Sequence, residues 1–116
     1  MKNFLISILI IFLLQSCSDP KVESVKGGSL NSCPEKTVGQ MVTDFMSSPR
    51  WSSGESADGQ EFVNIKGGIM YQEKEVTALL QFLINGDSFE LGAVEFNGVP
   101  QNRFMGVGLL NKMCEE

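Results

Sequence analysis

The chain has 116 residues, room for one small domain and no more. Hydrophobic residues make up 42% of it and charged residues 20%, the balance of a folded protein rather than a disordered one. A formal net charge of −5 without any histidine removes the commonest general base and metal ligand, and leaves no basic surplus to neutralise nucleic-acid phosphates.

Residues 1–16, MKNFLISILIIFLLQS, carry one charge at Lys2 and then an apolar run from Phe4 to Leu14, interrupted only by Ser7. At about 1.5 Å per residue that run falls far short of the roughly 30 Å hydrocarbon core, so a cleaved export signal is expected rather than a permanent span.

The end of this segment, Leu14-Gln15-Ser16-Cys17, resembles the lipobox of bacterial lipoproteins. The resemblance implies a diacylglycerol on the Cys17 thiol, cleavage of the signal before it, and acylation of the new amino group by a further chain such as palmitate. Two or three chains, each contributing ~0.8 kcal/mol per buried CH₂, anchor a protein stably where one does not. Ser18 in place of Asp after the cysteine implies, by the same resemblance, sorting to the outer membrane, facing the periplasm. From Ser18 to about Asn31 the chain is polar and rich in Gly and Ser, and it is expected to be a flexible tether, with at most a short strand around Val22 to Val25.

Cys33 and Cys114 then form an even pair in an oxidising compartment and are expected to be joined as a structural disulfide. A redox role would ask for closer spacing, and no CxxC is present.

Thr37 starts a predicted helix, with Gln40 at the reciprocal capping position and Val38, Met41, Val42, Phe45 and Met46 on one face. Pro49 ends it. The stretch SSPRWSSGESADGQ reads as a loop, in which Trp51 is expected to plug one end of the core, with an interface anchor as the alternative. Three strands follow. Val63, Ile65, Ile69 and Tyr71 share one side of the first; Val76, Ala78, Leu80, Phe82 and Ile84 share one side of the second. Asn85-Gly86 signals a hairpin, and in the third run Phe89 and Leu91 are out of phase with Val94 and Phe96, which predicts a β-bulge at Gly92. Beyond Pro100, Asn102 can cap a last helix whose apolar arc, Phe104, Met105, Val107, Leu109, Leu110 and Met113, predicts that it is largely buried.

The order α-β-β-β-α predicts an α+β domain: a three-stranded antiparallel meander with two helices on one face, held by one disulfide. The organisation is then a signal over 1–16, a lipidated cysteine and tether over 17–32, and the domain over 33–116. The phrases KTVGQMVTDFMSSPRW, VNIKGGIMY, ALLQFLING and FNGVPQN resemble a pattern in small domains of membrane-anchored bacterial proteins, from roughly Thr37 to Met113. That resemblance implies one compact domain and transfers no functional residue.

Chemistry is sparse. Without histidine, and with both exported thiols paired, only Ser–Lys or carboxylate catalysis is open, and Asp44, Asp58, Asp87, Glu90 and Glu95 stand in no catalytic pattern. SADGQE lacks the ligand alternation of a calcium loop, and Gly27-Gly28 and Gly67-Gly68 lack phosphate-loop spacing, so no metal or cofactor is expected. If the inward residues meet the helices, Phe62, Met70, Leu79 and Leu83 face the other way, more apolar than a solvated face needs; they are the candidate partner surface, with cover by the tether or the Trp51 loop as the alternative. The expected function is that of a non-enzymatic lipoprotein of the cell envelope, membrane-anchored through Cys17. It would act through contacts with an envelope protein, in assembly or in exclusion and inhibition. The alternative is a periplasmic carrier of an apolar small molecule, which would need an enlarged cavity.

Overall fold

The computed structural model describes residues 19–116. They form an α+β fold of three helices and a five-stranded antiparallel sheet with one disulfide. In chain order these are α1 (Pro20–Lys26), α2 (Val38–Phe45), β1 (Ser47–Glu55), β2 (Glu61–Tyr71), β3 (Lys74–Asn85), β4 (Ser88–Phe96), β5 (Val99–Pro100) and α3 (Arg103–Glu115). The strands lie side by side in sequence order, so every connection is local.

The β2–β3–β4 meander follows the alternation of its side chains. Val63 and Ile65 of β2 stand opposite Phe82 and Leu80 of β3, and all four are buried. Gln81 pairs with Ala93 but Phe82 pairs with Leu91, which leaves Gly92 as the extra residue of a bulge. The bulge returns Val94 and Phe96 to the face of Phe89 and Leu91. Buried residues of the three helices (Val22 and Val25; Val38, Met41 and Val42; Leu109 and Met113) join those of the sheet in a single core, so all three helices cover the same face.

Three expectations are corrected. The polar stretch assigned to a tether over 17–32 is, from residue 20 to 26, the helix α1: the Asp19 carboxylate accepts from the Lys21 and Val22 amides, Pro20 opens the first turn, and Val22 and Val25 are buried. The stretch read as a loop contains β1, which pairs with β2 from Ser47↔Gly68 to Glu55↔Glu61 and carries Pro49 within an irregularity of the ladder between Ser47 and Arg50. An edge strand with a bulge is where a sheet tolerates proline. The meander is therefore five strands, not three, and the helices are three, not two. α3 is also less buried than expected: Phe104 is 87% exposed and Val107 52%, while Gly106, Leu109 and Met113 turn inward.

α2 has the expected reciprocal capping box between Thr37 and Gln40, but it ends at Phe45 rather than at Pro49, with Met46 as its extended, buried C-cap. Cys33 and Cys114 are bonded, their Cα atoms 5.9 Å apart, and join the loop before α2 to the last turn of α3. Trp51 packs half-buried against the core with the Lys26 ammonium 4.9 Å from its ring centre, a cation–π contact closing that corner. No helix among the described residues is long and apolar enough to cross a membrane. Cys17 and the rest of the lipobox lie outside the described residues.

Candidate functional site: an apolar groove at one end of the sheet

The four residues proposed for a partner surface do not form one patch. Phe62 and Leu83 are direct cross-strand neighbours on the face away from the helices. Both are half-buried, because each lies over a glycine of the next strand. A β-carbon at Gly54, opposite Phe62, would fall 2.7 Å from the Phe62 ring, and one at Gly92 would fall 2.6 Å from Leu83 Cγ. The bare backbone of β1 and of the β4 bulge is thus what lets these side chains lie flat on the sheet.

Leu79 is separated from that pair by a polar bridge, in which the Gln81 side-chain amide donates to Asn64 Oδ1 at 3.0 Å. Leu79 itself sits between Lys66 and Glu95 in register and is half-buried. Met70 stands at the far end of β2, opposite Glu75, and is 65% exposed.

On the opposite face, beside Ile69 and Tyr71, lies a groove of about 480 Å³. It opens where the C-terminal end of α2, the middle of α3 and the β2–β3 hairpin end fail to close on one another. Ile69, Phe96 and Leu109 are buried at its base; Phe45, Tyr71 and Met105 are half-buried along its walls. The Tyr71 and Phe96 rings lean on one another, 5.0 Å between centres and 51° between planes, an arrangement that fixes both walls. Charge is confined to the rim, where Asp44 is exposed and Lys112 pairs with Glu116 at 3.5 Å.

Of the groove's residues, the alternation and helix patterns placed Phe45, Ile69, Tyr71, Phe96 and Leu109 in the core. Sequence reasoning missed the groove because a gap between elements leaves no mark on the periodicity of any one of them. A broad apolar arc on α3 that includes two glycines, Gly106 and Gly108, was the only available signal. Gly108 lines the groove with open space where a β-carbon would stand.

The remaining candidates have structural roles. Ser56 donates to Asp58 in the β1–β2 turn, and this bond, followed by the Gln60 amide, holds the Asp58 carboxyl below the usual carboxylate range. Such bonding is what Asp contributes to turns. The Glu35 carboxylate lies 3.8 Å from Cys114 Sγ, within a cluster of Cys33, Glu35 and Cys114. With both sulfurs bonded to each other, Glu35 is the one metal-ligand group left in that cluster.

No protein-family model, no curated protein and no solved structure matches the chain.

Proposed function

We propose that this chain is a non-enzymatic lipoprotein of the cell envelope, held at a membrane through acylated Cys17, and that it acts by binding another envelope protein through the groove between α2, α3 and the β2–β3 hairpin. The observation that carries this reading is the groove wall: Met105, Tyr71 and Phe45 leave apolar surface open beside the buried Ile69, Phe96 and Leu109. Methionine adapts its shape to an incoming side chain at little cost, which suits it to a binding surface. Asp44 and the paired Lys112 and Glu116 leave the rim with a surplus of negative charge, in keeping with the net charge of −5. The complementary partner is a protein segment that presents an apolar side chain flanked by basic residues.

The groove's volume, about 480 Å³, also falls in the range of small-molecule pockets and supports the carrier reading as the alternative. It is disfavoured because the core beneath the helices is closed: Ala78, Leu80, Phe82 and Val63 are at most 1% exposed. An apolar cargo in the groove would keep one side in water.

A photoreactive residue in place of Gly108, which lines the groove with open space beside it, tests the reading in the full-length protein in cells. It is expected to give one dominant protein adduct, lost when Met105→Glu places a charge on the groove wall. A lipid-sized adduct would replace this reading by the carrier, and an adduct indifferent to Met105→Glu would remove the groove from it.

A further inference from the structure

The proposed anchor and the groove lie at opposite ends of the strands. Resting on the reading of Cys17 as the lipid attachment point, we infer that the domain meets the bilayer with its β1–β2 and β3–β4 turns and turns its groove away from the membrane, toward a partner in the aqueous space.

The argument starts from Asp19. Its carboxylate accepts from Ser53 Oγ at 2.7 Å, and Lys21, in the first turn of α1, pairs with Glu61 at 3.3 Å. Ser53 lies near the end of β1, and Glu61 opens β2. The start of α1 is therefore fastened to the end of the sheet that carries the β1–β2 turn. In an antiparallel meander the β3–β4 turn, between Asn85 and Ser88, lies at the same end. One residue separates Cys17 from Asp19, so their Cα atoms are at most about 7 Å apart whatever the conformation between them. A lipid on Cys17 thus brings this end to the headgroups, and the long tether expected from the sequence is not available to lift it.

The groove is at the other end. Ser53 stands opposite Val63, and Tyr71 of the groove lies eight residues further along β2, about 26 Å at the rise of a strand. The end near the anchor carries Glu55, Asp58, Glu61 and Asp87. These charges keep it hydrated at the interface rather than inserted, and the net charge of −5 opposes laying the whole domain flat on an anionic surface. In this attitude a ligand could not pass straight from the anchoring leaflet into the groove, whereas a protein partner has open access.

The test uses the full-length acylated protein in phosphatidylcholine vesicles that contain a lipid with a nitroxide on its headgroup. With Trp51→Phe as background, Asp87→Trp and Lys74→Trp place one fluorophore at each end, both at exposed positions. The expected result is flotation with the vesicles, loss of fluorescence at position 87 and little loss at position 74. Flotation with equal losses, or the greater loss at 74, would overturn the orientation and leave the anchor standing. Failure to float would overturn both. Hydrogen exchange on the unsubstituted protein gives the same comparison without mutation: slowing on vesicles, relative to detergent, is expected in the turn at residues 56–59 and not in that at 72–73, and the reverse pattern would overturn the inference.

Discussion

Cys33 and Cys114, 81 residues apart in sequence, are bonded to one another in a fold that otherwise holds its last helix mainly through Leu109, Met113 and Gly106. The bond ties α3 back to the start of α2 and closes nearly the whole domain into one loop.

Closing a loop of that length removes chain entropy from the unfolded state worth about 4–5 kcal/mol in the usual model. Reduction, or Cys33→Ser with Cys114→Ser, is expected to lower the melting temperature by more than about 10 °C. Calorimetry on the oxidised and reduced protein checks it, and equal transitions would show that the bond contributes nothing to stability.

Val25 distinguishes a helix from a tether. It is fully buried in α1, next to Lys26, whose ammonium lies over Trp51. Val25→Ser removes apolar contacts and buries a hydroxyl, with an expected loss of about 2–4 kcal/mol in urea denaturation. A tether residue would tolerate the change.

Asp19 gives the domain an acid-sensitive contact. Its carboxyl is held below the ordinary carboxylate value first by the Ser53 hydroxyl, against some opposition from burial, and then by the Val22 and Lys21 amides. Because the folded pKa lies below the unfolded one, this stabilisation is complete above the ordinary value and is lost as pH falls through the lowered folded value. The parent is therefore expected to lose more stability than Asp19→Asn between roughly pH 5 and pH 3, measured as urea midpoints. Equal losses would mean that the contact does not form.

Leu83 decides how bare the outer sheet face is. Lying over Gly92, it contributes apolar burial, and Leu83→Ser is expected to cost on the order of 1 kcal/mol while the far-ultraviolet spectrum is retained. An unchanged urea midpoint would return Leu83 to the exposed surface.

What was legible in the sequence was local. The side-chain alternation of β2, β3 and β4 holds, with the bulge at Gly92 where the phase breaks; Thr37 and Gln40 cap α2; Cys33 pairs with Cys114. Each of these follows from near neighbours along the chain, or from the only two cysteines left once Cys17 is assigned to lipid. β1 and α1 were not legible, for a physical reason. β1, SSPRWSSGE, joins the sheet through backbone hydrogen bonds that any sequence offers, and its one large inward side chain, Trp51, makes no period. α1 has seven residues and two buried valines, too few to tell a helix from a strand, and becomes stable only against the sheet. The groove was further still from the sequence. Phe45, Tyr71, Phe96 and Met105 each read as core, and only the way α2 and α3 come to rest on the sheet leaves an opening between them. Composition and local pattern determined the class, the core strands and the staple; tertiary packing alone decided where the core was left open.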